Sequence, residues 1–172
     1  SEVMKAEAEC MLAGIYLDTK GFTVKTGVRT FEAAAYLKRV GADMSEVMKL
    51  FQCSFDEYIA RQRIIAGARD CGDGIVLAVT KDQVDRVTAA KAADSLLGIN
   101  GVRSSIVVFP SGDDVLVSAR SDGTVNVQLI MEYLGGGGHS TVAGAQVKDK
   151  NVDMVIEDVE KAVFDYVANN ES

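Results

Sequence analysis

The sequence has 172 residues, which is enough for one ordinary domain or two small ones with a buried core. It carries 18 basic and 25 acidic residues, a net charge of -7, which argues against a basic surface that grips long nucleic acids. One histidine and three scattered cysteines exclude a His-rich two-metal centre within this chain and argue against a closed zinc site. The apolar runs, of about five residues, are too short to span a bilayer. The composition is that of a cytoplasmic protein.

The first part of the chain is predicted to be mostly helical. Apolar residues recur there at three- and four-residue spacing, and capping residues mark several helix ends. Because the sequence begins inside an amphipathic helix without a capping signal, we expect it to be a piece of a longer polypeptide. The helices are predicted at 1–17, at 30–40, from 45 onward and at 54–69.

From Gly72 the pattern changes to alternating strands and helices, as in a complete α/β unit. We place the boundary between the two parts at 66–72, where glycine recurs. The predicted elements of the second part are a strand at 74–80, a helix at 82–97, strands at 102–109 and 115–119 around a turn at 110–114, a helix at 126–134, a strand at 143–147 and a helix at 152–168.

Apolar spacing also predicts which side chains of two helices face the core. On the helix at 82–97 the inward set includes Val84, Val87 and Leu97. On the helix at 152–168 it includes Val159 and Phe164. The apolar face of this last helix can in addition support a homodimer.

Four consecutive glycines, Gly135–Gly138, stand between a predicted helix and a predicted strand. Glycine loses more conformational entropy on folding than any other residue, so such a run needs a reason. One interpretation is an anion nest, in which consecutive main-chain amides turn towards a phosphate that the absence of Cβ atoms allows to approach. His139 then adds a hydrogen bond or a charge. The alternative is a flexible turn or a tight crossing with a structural histidine.

Two polar residues, Ser118 and Arg120, lie at the end of a predicted hairpin strand. Because they alternate with Ala119, both side chains project from the same face of the sheet. A guanidinium there can bind a phosphate with two hydrogen bonds, and the hydroxyl can add another donor. An arginine at a strand end is more often a solvated edge residue, and only the nearby glycine run favours the binding role.

Asp18 follows an apolar stretch at the end of the first predicted helix. A carboxylate in that place can bind a hard or borderline metal such as Mg²⁺ or Mn²⁺. It can equally cap a turn, and one carboxylate does not hold a catalytic metal.

Taken together, these residues resemble a known family. The run Gly135–His139 with the following stretch 140–145, preceded by Ser118–Ser121 and Asn126, resembles the DHH-associated substrate-binding domain of the DHH phosphoesterase superfamily. Residues 14–22 resemble the last metal-binding motif of the catalytic DHH domain. Residues 25–43 look most like the bacterial cyclic di-AMP phosphodiesterases of that superfamily.

The resemblance implies a fold, a division of the chain and roles for its residues. Residues 1–65 would be the helical end of the catalytic DHH domain, 66–72 a linker, and 73–172 a mixed-sheet α/β substrate-binding domain. Asp18 would be one ligand of a two-manganese centre that activates water for phosphodiester hydrolysis. The nucleotide or its phosphate would be bound by Ser118, Arg120, Gly135, Gly136, Gly137, Gly138 and His139.

The sequence departs from the family because the first aspartate motif and the Asp-His-His motif are absent. We therefore expect no hydrolysis by this chain alone and no bound manganese. Full-length relatives carry membrane helices and sensory domains, which implies a membrane-anchored parent, whereas no membrane contact is expected here.

Three functions stay open at this point. The first is nucleotide binding within a manganese-dependent phosphodiesterase that opens cyclic di-AMP to linear pApA. The second replaces that substrate with short oligonucleotides, as in oligoribonuclease-type relatives. The third is a non-catalytic regulatory or assembly domain.

Overall fold

The computed structural model describes residues 4–170, which divide between Ser54 and Phe55 into two compact units. The division therefore falls earlier in the chain than the linker expected at 66–72. The helix Phe55–Ala66, called α4, belongs to the second unit because its Ile64 is fully buried in that unit's core.

The first unit contains three helices: α1 (Lys5–Asp18), α2 (Val28–Arg39) and α3 (Met44–Lys49). Asp43 caps α3 by accepting a hydrogen bond from the Ser45 amide, so this helix begins slightly before the predicted position. The core of the unit is small and consists of Ala8, Leu12, Ala13, Leu37, Ala42 and Val47.

The second unit contains a mixed six-stranded sheet in the order β1-β2-β3-β4-β6-β5. Only β2 and β3 run parallel, and the helix between them makes the crossover; the other neighbours are antiparallel. This confirms the mixed-sheet α/β class. The strands are β1 (Arg69–Asp70), β2 (Ile75–Val79), β3 (Ser104–Ser111), β4 (Asp114–Ser121), β5 (Gly137–Gly138) and β6 (Val142–Val147).

Helices cover the sheet on both faces. On one face α4 and α5 (Arg86–Leu97) pack on residues such as Val107, Phe109 and Leu116. On the other, α6 (Val127–Tyr133) and α7 (Val152–Asn170) pack on the alternate residues, among them Ile106 and Val117. The alternation of strand side chains therefore produces two separate cores, one on each face.

Two predictions about inward-facing side chains are wrong. Val87 on α5 is 60% exposed, and Phe164 on α7 is 72% exposed. The buried stripe of α5 consists instead of Thr88 and small residues such as Ala89 and Ala92, because small side chains let this helix pack closely on the sheet.

The β3–β4 hairpin is tighter than predicted. Only Gly112 and Asp113 lie between the two strands, and Pro110 pairs with Val115 inside the ladder. Among residues 4–170, no helix is long and apolar enough to cross a membrane.

Candidate functional site

A cavity of about 470 Å³ lies between α5 and the β4–β6–β5 side of the sheet. Its floor is built by cross-strand neighbours, because Ser118 pairs with Gly144 and Leu116 pairs with Gln146, and paired residues project from the same face. The lining residues are Arg86, Ala90, Phe109, Leu116, Val117, Ser118, Arg120, Gly136, Gly137, Gly144, Ala145 and Gln146.

Arg120 is held firmly at this cavity. Its side chain is only 16% exposed, and its Nε donates to the Asp94 carboxylate over 3.1 Å. Its Nη1 donates to the Ser118 hydroxyl over 3.3 Å and to the Ala119 carbonyl over 3.0 Å. The first of these contacts confirms that Ser118 and Arg120 share a face. Within residues 4–170 its Nη2 makes no hydrogen bond, so the guanidinium is fixed in place with donors available for an anion.

A second guanidinium, that of Arg86, lines the same cavity. Its Nη2 donates to the side-chain oxygen of Gln146 over 3.3 Å. The Gln146 amide nitrogen donates in turn to the Asp114 carboxylate over 2.5 Å. Arg86 and Gln146 were not predicted as site residues, because nothing in the sequence distinguishes them from other polar residues of the predicted helix at 82–97 and the predicted strand at 143–147. The register between β4 and β6 places Gln146 opposite Leu116, and this position brings the Gln146 side chain next to Arg86.

The glycine run differs from the predicted nest of free amides. The Gly135 amide donates to the Glu132 carbonyl over 3.0 Å, and the Gly136 amide donates to the Met131 carbonyl over 2.8 Å. The His139 amide donates to the Val142 carbonyl over 2.8 Å. These three amides are therefore engaged in ending α6 and in pairing β5 with β6, and they are not directed together at one anion.

The structure gives different reasons for glycine at the different positions of this run. A Cβ on Gly136 would lie 2.6 Å from the Cβ of Ala145, and one on Gly138, whose φ is +144°, would lie 2.6 Å from the Cα of Ala143. Both glycines are thus required by close packing on β6. A Cβ on Gly137 would meet no atom of the described residues within 4 Å, and its φ is not positive. Gly137 lines the cavity, so packing does not explain the absence of a side chain there.

Residues 72–165 match the DHHA1 domain family. The chain belongs to this family and so to the DHH phosphoesterase superfamily. It is 45% identical over 163 residues to the cyclic-di-AMP phosphodiesterase GdpP of Geobacillus thermodenitrificans, a match that covers 93% of this chain and 25% of that protein. The chain thus spans about a quarter of the length of this relative.

Solved structures confirm the fold. An exopolyphosphatase-related protein from Bacteroides fragilis matches with a TM-score of 0.85 at 19% identity, over 98% of this chain and 53% of that one. RecJ from Thermus thermophilus, solved in complex with Mn²⁺, matches with a TM-score of 0.50 at 13% identity, over 92% of this chain and 24% of that one.

In the DHHA1 domain the predicted binding residues are divided between two places. Ser118, Arg120, Gly136 and Gly137 line the cavity. Gly135, Gly138 and His139 are not among its lining residues, and His139 is exposed. His139 directly follows β5, and its amide donates to the Val142 carbonyl of β6, which extends the pairing of β5 with β6 by one residue.

Asp18 does not form a metal centre with the other described residues. It is exposed at the last position of α1, and no group of three or more His, Cys, Asp or Glu side chains between residues 4 and 170 is arranged to hold a metal ion. One carboxylate does not fit a site for two manganese ions. The role of Asp18 as one ligand of a two-manganese centre therefore stays a prediction.

Proposed function

We propose that this chain supplies the nucleotide-binding part of a manganese-dependent phosphodiesterase that hydrolyses cyclic di-AMP to linear pApA. The observation that carries the proposal is the fixed guanidinium of Arg120, whose Nη2 has no hydrogen-bond partner among the described residues, in the same cavity as the main chain of Gly137. The similarity to GdpP, whose name gives cyclic di-AMP as its substrate, supports this choice of nucleotide.

Binding would depend on a phosphate contact in a partly enclosed site. Arg120 is oriented by Asp94, so little side-chain entropy is lost when the guanidinium meets a phosphate. A side chain at position 137 would project into the cavity. Because this residue is glycine, a phosphate oxygen can approach the main chain there. Arg86 adds a second positive charge for a ligand that carries two phosphates.

The division of labour follows from these contacts. Residues 73–172 bind the nucleotide, and the helices α1, α2 and α3 of the first unit belong to the catalytic part. The helix α4, which the resemblance assigns to that part, packs instead in the core of the second unit. The ligand class is a cyclic dinucleotide or a short oligonucleotide. In an acidic chain a cavity with two arginines favours a small anion over a long polymer.

Calorimetric titration of the chain with cyclic di-AMP tests the proposal. We expect Arg120→Ala to weaken binding by about 2–5 kcal/mol, because a buried charge contact to phosphate is lost. Arg63→Ala, which removes an exposed guanidinium from α4, is the matched control and should bind as the wild type does. Equal affinity of wild type and Arg120→Ala would reject the cavity as the binding site.

Competition experiments distinguish the substrate classes. Cyclic di-AMP, linear pApA and a short oligoribonucleotide are each added to a labelled cyclic dinucleotide bound to the chain. Displacement by the oligoribonucleotide at lower concentration than cyclic di-AMP would favour the oligoribonuclease-type alternative. If the labelled cyclic dinucleotide itself does not bind the chain, and direct titration with the three ligands gives no binding either, the regulatory or assembly alternative is favoured.

A further inference from the structure

The outer face of α7 carries an exposed row of four residues: Met154, Glu157, Lys161 and Phe164. Their spacing of three, four and three residues places them in one row along the helix. The row lies opposite the buried residues of α7, which include Val155 and Val159. Met154 is 46% exposed and Phe164 is 72% exposed, so two large apolar side chains stand at the two ends of the row.

The charges next to this row are already paired. Lys81 binds Asp153 over 2.9 Å, and Lys150 binds Asp158 over 2.6 Å. Arg69 forms an ion pair with Glu160. These three cations come from outside α7 and neutralise most of its acidic flanks.

Glu157 and Lys161 remain in the middle of the row as opposite charges. No ion pair joins them to each other or to another residue within the described part of the chain. Lys161 lies beside Tyr133, whose ring centroid is 6.0 Å from the ammonium nitrogen, and a side-chain hydrogen bond with Tyr133 raises the pKa of Lys161, with further attraction from Asp165 and Asp158.

The row is complementary to itself when a second copy is turned antiparallel. Residues 154 and 164 are equally far from position 159, and so are residues 157 and 161. A two-fold axis that crosses the exposed row level with position 159 therefore brings Met154 against Phe164 twice and Glu157 against Lys161 twice. We propose that the row Met154–Glu157–Lys161–Phe164 of α7 is a homodimer interface that docks the same row of a second copy of this chain.

A cavity of about 480 Å³ lies next to Phe164, and an apolar side chain of the second copy can pack at its entrance. Phe164, Val163, Val167 and Cys71 line it together with charged residues. In the antiparallel arrangement, Met154 of the second copy reaches the mouth of this cavity. An unbranched, polarisable methionine suits such an irregular apolar gap.

Association through α7 leaves the candidate nucleotide site open. α7 packs on the sheet face that carries Ile106, whereas the site lies on the α5 face with Arg120. The dimer is therefore independent of the proposed nucleotide binding, and each can fail without the other.

Sedimentation velocity over a concentration series tests the interface. We expect the wild-type chain to dimerise and Phe164→Glu to raise the dimer dissociation constant at least tenfold. Phe164 is exposed, so the change leaves the fold of the monomer intact. Ile99→Glu, which places the same side chain at a residue that is 51% exposed just beyond the end of α5, is the control and should dimerise normally.

Charge exchange gives a second measurement that does not depend on apolar packing. Glu157→Lys and Lys161→Glu should each weaken self-association, because like charges then face each other across the two-fold axis. The double variant should regain the wild-type dissociation constant, and an equal mixture of the two single variants should form heterodimers. A wild type that stays monomeric, a Phe164→Glu dimer of normal affinity, or charge variants that neither recover nor pair would each overturn the proposal.

Discussion

Arg120 illustrates what a local sequence pattern determines at the scale of one residue. Strand alternation predicts that Ser118 and Arg120 share a face, and the 3.3 Å hydrogen bond between them confirms it. The carboxylate that orients the guanidinium comes from Asp94 on α5, 26 residues away in the chain. No spacing rule links a strand residue to a helix residue at that separation. The tertiary packing of α5 on β4 makes the contact.

At the same scale, the glycine run contains positions where packing requires glycine and one position where packing does not explain it. Gly136 and Gly138 are fixed by contacts with β6 that no sequence pattern displays, because these contacts depend on the edge pairing of a two-residue strand. Gly144, which pairs with Gly137, is a glycine inside a predicted strand, and that is the one sequence signal of a close backbone approach at this place.

Substitution of Gly137 tests the functional position directly. Gly137→Ala should leave the free energy of unfolding within about 0.5 kcal/mol of wild type, because its Cβ meets open space. It should weaken cyclic di-AMP binding at least tenfold, since the methyl group occupies the cavity. Urea unfolding and calorimetry measure the two effects.

Gly136→Ala is the matched control for this experiment. Its Cβ would press on Ala145, so this variant should lose stability by about 1–3 kcal/mol from overpacking. If Gly137→Ala instead lost stability as Gly136→Ala does and bound ligand normally, the glycine run would be a packing device only.

The helix α5 shows how a cap determines the limits of an element. The predicted start at 82 precedes the observed start at Arg86, because the Asp85 side chain accepts a hydrogen bond from the Thr88 amide over 2.9 Å and ends the preceding loop. Val87 then lies in the first turn and faces solvent. The apolar spacing on this helix is compatible with two faces turned towards the core, one with Val87 and one with the alanines. Only the packing of the helix on the sheet determines that the alanine face is buried.

Short strands are the elements that sequence patterns miss. β1 and β5 have two residues each, which is too few for any alternation to appear. The long helices and the central strands were predicted because their apolar periods extend over several turns or pairs. Asn126 also caps α6 as expected, by accepting a hydrogen bond from the Gln128 amide.

The Asp85 cap gives a prediction for this element. Asp85→Ala should lower the free energy of unfolding by about 1 kcal/mol at neutral pH, because the amides at the start of α5 lose their acceptor. Asp85→Asn retains a side-chain acceptor and should lose less. Thermal or urea unfolding of the two variants and the wild type measures the difference.

The same cap has a pH dependence with a definite sign. Hydrogen bonds from the Thr88 hydroxyl and amide hold the pKa of Asp85 below its ordinary value of 3.8. The stabilisation by the ionised group is therefore fully present above that value and is lost as the pH falls through the lower pKa of the folded state. The advantage of wild type over Asp85→Asn should shrink only at pH values below 3.8. A constant advantage down to strongly acidic pH would contradict this role of the carboxylate.

At the scale of the whole molecule, net charge and local charge have different consequences. The net charge of -7 argues against binding of long nucleic acids, and it does not oppose a cavity in which Arg86 and Arg120 concentrate positive charge. The fold class follows from the order of helices and strands along the chain, which the sequence pattern predicts. The division into units depends on where α4 packs, and the helical pattern of α4 does not show this.

The two units have separate hydrophobic cores, and we expect two separable unfolding transitions by calorimetry. Leu12, 4% exposed in the first core, and Leu96, 1% exposed in the second, are matched probes because each leucine lies in a helix. Each Leu→Ala change should lower the free energy of unfolding by about 2–5 kcal/mol and should lower mainly the transition temperature of its own unit. The core of the first unit contains six buried apolar residues among those that the structure describes, so its transition should lie at the lower temperature. A single transition that both variants shift equally would show that the two cores unfold cooperatively.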